Sequence, residues 1–142
     1  MLLETDIVLR LVLAAILGGV IGYEREIRKK PAGMRTHALV CMGSALFTLL
    51  TFSFTGPAVD SSRIAAAIVM GIGFLGAGTI FKADDKIHGL TTAAEMWVLA
   101  AVGIAVGSGL FVVAVAATLI ALIILELGKC FEDSVIKGNR RR

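Results

Sequence analysis

The chain has 142 residues, of which 57% are hydrophobic and only 18% are charged; its net charge is +3 at pH 7 and its mean hydropathy is +0.88. This composition excludes an ordinary water-soluble globular domain, which carries more charge and fewer apolar residues. Most of the positive charge lies in short patches outside the apolar segments, which argues against a nucleic-acid-binding surface and indicates a membrane protein that contacts anionic lipid.

Five apolar segments follow one another along the chain, and each is close to the length that a helix needs to cross a bilayer. They cover residues 7–23, 37–56, 64–81, 92–107 and 110–127. The chain starts with acidic rather than basic residues, so we expect the first segment to be retained and not cleaved as a signal peptide. The sequence therefore predicts an all-α, polytopic membrane bundle of five transmembrane helices. The transmembrane domain would cover residues 1–128, and residues 129–142 would form a basic cytoplasmic tail.

The distribution of cations predicts the topology. Twelve of the fourteen Lys and Arg residues fall in three patches that occupy every second connection between segments. Because Lys and Arg are retained on the cytoplasmic side, we expect the N-terminus outside and the C-terminus in the cytoplasm. The patches are Arg25, Arg28, Lys29, Lys30 and Arg35; Lys82 and Lys86; and Lys129, Lys137, Arg140, Arg141 and Arg142.

An internal similarity relates the first two helices to the third and fourth. At an offset of 56 residues, Gly22, Gly33, Thr36 and Ala38 match Gly78, Gly89, Thr92 and Ala94. In both copies a glycine turn precedes a threonine, which is a preferred N-cap residue. The pattern predicts two parallel helical hairpins, followed by one further helix.

Glycine spacing predicts close helix packing. Small residues four apart let the backbones of two membrane helices approach each other. For the third helix a second interpretation remains open, in which its dense glycines break the helix locally and line a site. These small-residue faces exceed what one compact bundle needs, so we expect a homo-oligomer, with a dimer favoured. The glycines are Gly18, Gly22, Gly71, Gly73, Gly76, Gly78, Gly103 and Gly107.

Polar residues at the cytoplasmic ends of the helices predict one candidate site. Ionisable groups near the interior of a membrane bundle are rare and are usually functional. We expect the set to converge between the first, second and fourth helices, below a cytoplasm-facing pocket. For Glu95 a competing interpretation is a capping box with Thr92. The predicted set is Glu24, Arg25, Arg35, Thr36, Thr92 and Glu95.

Catalytic and metal-binding signals are weak. The sequence contains no nucleophile elbow, zinc-protease motif or phosphate-binding loop, so no enzymatic activity is predicted. Asp84 and Asp85 lie in a short loop between two lysines, where a solvated turn is the simpler interpretation. Magnesium retains several waters and needs only one or two carboxylates, so these two residues are the weak candidates for a magnesium site. No other cofactor is expected.

Four motifs together resemble the MgtC/SapB family, over residues 17–107. The resemblance implies a multi-pass protein of the bacterial inner membrane, linked to growth in low magnesium, acid stress, intracellular survival and virulence. It also implies regulation of other membrane proteins, such as the ATP synthase. Position 95 is usually small or hydroxylated in that family, so Glu95 is a departure from the pattern. The motifs are GYERE at 22–26, AGMRT at 32–36, GIGFLGAG at 71–78 and GLTTAA at 89–94.

Two classes of function remain. The first is a non-enzymatic regulator that acts through contacts with other membrane proteins. The second is a transporter or channel for a small ion or solute, with a polar site that faces the cytoplasm. The second and third apolar segments contain no charged residue, and the charged groups cluster towards the cytoplasmic side. This distribution favours regulation, or a pocket that faces the cytoplasm, over a path through the membrane.

Overall fold

The protein is an all-helical bundle. The computed structural model describes residues 3–54, 60 and 62–139, and it describes side chains up to residue 128. The described residues form five helices and two short strands, which confirms the predicted fold class. In chain order the elements are α1 (Glu4–Ile27), α2 (Met34–Thr51), α3 (Ser62–Gly78), β1 (Phe81–Ala83), β2 (Lys86–His88), α4 (Leu90–Gly107) and α5 (Phe111–Asn139).

Several helix boundaries differ from the prediction. Helix α1 continues through the charged residues after position 23, and the backbone of α5 runs on through residues 129–139 of the predicted tail. Hydropathy marks where apolar side chains end, whereas backbone hydrogen bonds continue into polar sequence. Residues 140–142 lie outside the described residues.

The predicted threonine caps are wrong. The N-cap residues of α2 and α4 are Gly33 and Gly89, and neither cap has a side-chain hydrogen bond. Thr36 and Thr92 therefore lie inside the first turn of their helices. Two helical residues separate each N-cap glycine from its threonine, so each threonine lies three positions after the N-cap, too late to accept the first free amides.

A β-hairpin between α3 and α4 is absent from the prediction. Strands β1 and β2 pair antiparallel, with Phe81 opposite His88. The two turn residues, Asp84 and Asp85, have positive φ angles of 49° and 59°, as a tight hairpin turn requires. Strands of three residues are too short for alternation to reveal them. The exposed Asp85 carboxylate lies 2.9 Å from Lys82 Nζ, so these aspartates form a solvated turn.

Three described helices are long and apolar enough to cross a membrane by length and composition, namely Glu4–Ile27, Leu90–Gly107 and Phe111–Gly128. The 17-residue α3 is a shorter apolar helix. Helix α2 has 18 residues and is not among the three, since its first turn contains Arg35 and His37. The count of five membrane spans stays a prediction.

Glycines bring α1 and α4 against opposite sides of α2. A Cβ atom added at Gly18 would lie 2.5 Å from the His37 carbonyl oxygen, and one at Gly22 would lie 2.7 Å from His37 Cβ. On the other side, a Cβ at Gly103 would overlap the Cys41 carbonyl oxygen, and one at Gly107 would lie 2.7 Å from Thr48 Cβ. These four glycines therefore allow backbone contact among three helices, as small residues do in membranes.

Helix α3 is uninterrupted from Ser62 to Gly78, so the interpretation of a broken helix is not supported. Gly76 packs against α4, where an added Cβ would lie 3.5 Å from the Ala93 carbonyl oxygen. Added Cβ atoms at Gly71, Gly73 and Gly78 would meet nothing within 4 Å. Side chains at these three positions would therefore not pack against the described helices of this protomer.

Polar contacts also fix the end of the bundle at which α1 and α3 begin and α4 ends. Arg10 donates a hydrogen bond of 2.9 Å to the carbonyl oxygen of Gly107 and also pairs with Asp6 at 3.0 Å. A cation at this position satisfies a free carbonyl at the end of α4. Before α3, the hydroxyl and amide of Ser62 donate to the Asp60 carboxylate and lower its pKa.

Candidate functional site

The end of the bundle where α1 finishes and α2 and α4 begin is called the basic end here. A buried ion pair lies inside it. Arg25 Nε of α1 is 2.9 Å from Glu95 Oε2 of α4, and the two residues are only 4% and 6% exposed. Buried charges are tolerated when they are paired, because the pair offsets part of the desolvation penalty. This contact joins α1 directly to α4.

Both charges continue the buried faces of their helices. Arg25 lies one turn after Ile21 and two turns after Gly18 on the face that α1 buries. Glu95 lies one turn before Leu99 on the buried face of α4. Helical periodicity therefore places both side chains in the interior, and the close packing of the glycines brings them within contact.

Further ion pairs extend the cluster towards α5. Glu24 Oε2 lies 3.5 Å from Arg25 Nη1, and the other Glu24 oxygen pairs with Arg28. Arg28 Nη2 in turn lies 2.5 Å from Glu126 Oε1 on α5. Alternating charges thus connect three helices. We refer to Glu24, Arg25, Arg28, His37, Glu95 and Glu126 as the polar cluster.

His37 belongs to the polar cluster, although the sequence analysis did not select it. Its side chain is fully buried, with Nε2 3.4 Å from Glu95 Oε2 and Nδ1 3.0 Å from the Gly33 carbonyl oxygen. Both neighbours are hydrogen-bond acceptors, so the ring donates to both when both nitrogens carry protons. Its position in the sequence could have indicated that it is buried, because His37 lies one turn before Cys41. Both residues are on the face of α2 that packs between α1 and α4.

The predicted site is only partly assembled. Glu24, Arg25 and Glu95 interact, and Thr92 is buried one turn before Glu95. Glu95 pairs with Arg25 and does not form the predicted capping box with Thr92.

Arg35 and Thr36 do not join the polar cluster, since both side chains are exposed. Helix α2 begins at Met34 and turns His37 inwards, which leaves the two preceding positions on its outer face. The prediction placed both residues in the site because they lie at the cytoplasmic end of a helix, but the rotation of α2 directs them away from it.

A cavity of about 360 Å³ opens at the basic end, beside the polar cluster. One wall is the end of α1 and the residues that follow it, and the other is the hairpin and the first turn of α4. We call it the basic cavity. Its polar lining comprises Arg25, Arg28, Lys29, Lys30, His88, Thr91 and Thr92.

An apolar groove of about 630 Å³ runs between α2 and α3. Phe47 and Leu75 line it from the two helices. Gly43 and Gly71 also lie in the groove, and a Cβ atom added at either would meet nothing within 4 Å. The groove is therefore open to an apolar partner or to lipid.

Among the described residues there is no group of three His, Cys, Asp or Glu side chains that could hold a metal ion. Asp84 and Asp85 lie in the exposed turn of the hairpin. A magnesium site at these two aspartates stays a prediction.

Comparison with known proteins identifies the family. The sequence model of the MgtC family matches residues 11–134. A putative magnesium transporter, YhiD of Escherichia coli, is 44% identical over 132 residues, which are 88% of this chain and 61% of the relative. MgtC of Salmonella typhimurium is 49% identical over 116 residues, which are 81% of this chain and 49% of the relative. No solved structure matches the chain significantly.

The chain spans about half to about three fifths of the length of these curated relatives. MgtC of Brucella abortus gives the same result, with 47% identity and 48% of its length covered. Neither the family nor these names indicate catalysis. Because the match covers most of its residues, the chain belongs to the MgtC family.

Proposed function

We propose that this member of the MgtC family is a non-enzymatic regulator of membrane physiology that acts through contacts with other membrane proteins. We further propose that it resides in the bacterial inner membrane, with its N-terminus outside and its basic end in the cytoplasm. The positive charge of the connections at the basic end supports this orientation. The physiological setting, adaptation to low magnesium, acid or intracellular stress, is proposed from the family resemblance.

The observation that carries the proposal is the closed interior between α1, α2 and α4. Gly18 and Gly103 bring the backbones of α1 and α4 into contact with α2, which leaves little space for a solute between them. Thr48 donates its hydroxyl hydrogen to the Ser44 carbonyl of its own helix at 2.8 Å. Thr118 does the same to Ala114 at 2.9 Å. These two buried hydroxyls are therefore satisfied by the backbone of their own helices.

The outer surface supplies regions for partner contacts. Gly43 and Gly71 lie in the apolar groove between α2 and α3 and have no side chains to fill it. Such small residues permit a further helix to approach closely. We propose that a membrane helix occupies this groove, either from a second copy in a homodimer or from another membrane protein. The ATP synthase is a candidate by family resemblance.

A second candidate function is transport of a small ion or solute. It is favoured by the printed description of the YhiD relative as a putative magnesium transporter. The basic cavity would then be the cytoplasmic vestibule. A cationic lining disfavours a divalent cation there, because like charges repel strongly where water is partly excluded.

In-membrane photo-cross-linking tests the regulatory proposal. A photoreactive phenylalanine analogue at Phe47, in the groove, is compared with the same analogue at Val112, which is 83% exposed on α5 and does not line the groove. Cells are grown in low magnesium. We expect a defined protein adduct from position 47 and mainly lipid adducts from position 112. Lipid adducts alone from both positions would contradict the proposal.

A further inference from the structure

We infer that the basic cavity binds a phosphate group, carried either by a soluble phosphorylated molecule or by a lipid headgroup. Phosphate is thus the ligand class of the site at the basic end. That the basic cavity faces the cytoplasm rests on the proposed function. Binding of a phosphate goes beyond that function because it is independent of which membrane protein occupies the groove.

The charge of the cavity is the first argument. The lining includes four cations, Arg25, Arg28, Lys29 and Lys30, and no carboxylate. The carboxylates that pair with the two arginines belong to the polar cluster and do not line the cavity. Among the described residues, neither lysine forms an ion pair within 4 Å. The two lysines therefore leave positive charge in the cavity that no described carboxylate neutralises by direct contact, and this charge favours an anion in a partly desolvated space.

The opposite wall supplies neutral donors. The cavity reaches Gly89, Thr91 and Thr92, at the start of the 18-residue helix α4. Gly89 is the N-cap in the left-handed conformation, with a φ angle of 88°, and no side chain caps the first turn. Free amides and the partial positive charge of a helix N-terminus suit a phosphate. A side chain at position 89 would overlap the Thr79 carbonyl oxygen, so glycine is required here.

The side chain of Thr92 adds a hydroxyl donor to this wall of the cavity. Thr92 is only 1% exposed and lines the cavity. Its hydroxyl forms no hydrogen bond with any described residue, in contrast to the buried hydroxyls of Thr48 and Thr118. A phosphate oxygen in the cavity would accept this proton.

The size of the cavity fits a molecule larger than a single ion. Its volume of about 360 Å³ lies within the range of small-molecule sites, about 300–1,000 Å³. At its edge, the rings of Phe81 and His88 stack with their centroids 5.3 Å apart. The hairpin thus provides an aromatic wall next to the cationic one.

Binding of inorganic phosphate to the purified full chain in detergent is the test, with titration calorimetry as the readout. A parallel arm measures binding of the chain in nanodiscs to vesicles of phosphatidylglycerol and of phosphatidylcholine. Saturable binding of inorganic phosphate assigns a soluble ligand. Binding only to phosphatidylglycerol vesicles, and not to phosphatidylcholine, assigns a lipid headgroup. Either result supports the inference.

Variants make the test specific. Lys29→Ala with Lys30→Ala should weaken binding about tenfold or more, and Thr92→Val about three- to tenfold, because each removes a donor to the anion. Arg35→Ala is the matched control, since it removes an exposed cation at the same end that does not line the cavity. It should change the affinity less than about twofold.

Two results would overturn the inference: no saturable binding in either arm, or an equal loss of affinity in the Arg35→Ala control. Circular dichroism verifies that each variant is folded. The binding assay uses no partner protein, so its failure would leave the cross-linking result at Phe47 unaffected, and failure of the cross-linking would leave the binding result unaffected.

Discussion

Arg25 Nε and Glu95 Oε2 lie 2.9 Å apart although seventy residues separate them along the chain. The contact closes the bundle between the end of α1 and the second turn of α4. It forms at a boundary where the apolar interior ends and the basic cavity begins. The pair therefore links the packing of the helices to the shape of the candidate site.

The first prediction concerns this pair. Glu95→Ala should destabilise the protein by about 3–5 kcal/mol, because it removes the closest partner of a buried guanidinium. Glu126→Ala is the control: its side chain is 63% exposed, and loss of its pair with Arg28 should change stability by less than about 1 kcal/mol. Unfolding in detergent can be followed by circular dichroism. Equal stability of the two variants would contradict the prediction.

A second prediction tests whether the charge itself is needed for folding. Replacing both partners, with Arg25→Met and Glu95→Leu, should restore much of the stability that Glu95→Ala removes, since no buried charge is left unpaired. The polar site would nevertheless be lost. A double variant that is less stable than Glu95→Ala would show that the pair contributes more than mutual neutralisation.

Arg35 provides a third prediction. The side chain is exposed and outside the polar cluster, whereas Arg25 is buried within it. We therefore expect Arg35→Ala to retain folded yield and growth in low magnesium, and Arg25→Ala to reduce both. Expression of the two variants in a strain that depends on the protein measures the difference. A stronger defect from Arg35→Ala would contradict the placement of α2.

Helical phase explains how much of the candidate site could be predicted. The sequence indicated Glu24, Arg25 and Glu95 because charges at the ends of apolar segments are conspicuous. It also suggested Arg35 and Thr36, since proximity along the chain does not reveal which face of α2 is buried. His37 was missed because a single histidine gives no signal until Gly18 and Gly22 fix the side of α2 that α1 contacts.

The sequence also did not reveal how the helices pack against one another. The bundle follows from the apolar segments, but the glycine pattern alone did not distinguish inward from outward positions. Gly103 contacts α2, whereas Gly71 and Gly73 contact nothing described. The β-hairpin was also missed, because its conformation depends on two aspartates with positive φ, which turns tolerate without a strong composition signal.

A fourth prediction distinguishes Gly103 from Gly71 by the effect of an alanine substitution on stability. Gly103→Ala should destabilise the protein strongly, because the new methyl group would overlap the Cys41 carbonyl oxygen and lie 2.6 Å from Ser44 Cβ. Gly71→Ala should be neutral or stabilising by up to about 1 kcal/mol, because open space surrounds the position and alanine favours helix. Thermal unfolding of both variants in the same detergent measures this. Similar losses for the two would refute the packing described here.

The membrane orientation gives a fifth prediction. In a background lacking Cys130, Lys29→Cys should react with an impermeant thiol reagent only after the cytoplasmic face is exposed, whereas Ser53→Cys should react in intact spheroplasts. Both positions are exposed, and the native Cys41 is buried. Ser61, in the connection predicted to lie outside, is outside the described residues, so Ser53 is the better probe. Labelling of position 29 but not 53 in intact spheroplasts would reverse the orientation.

Magnesium flux is the measurement that tests the central claim most directly, namely that this protein regulates and does not conduct. The purified chain is reconstituted into vesicles that contain a magnesium-sensitive dye, and an inward magnesium gradient is applied. The closed contact of α2 with Gly18 and Gly103 predicts influx equal to that of protein-free vesicles. A saturable magnesium influx above that of protein-free vesicles would contradict the account.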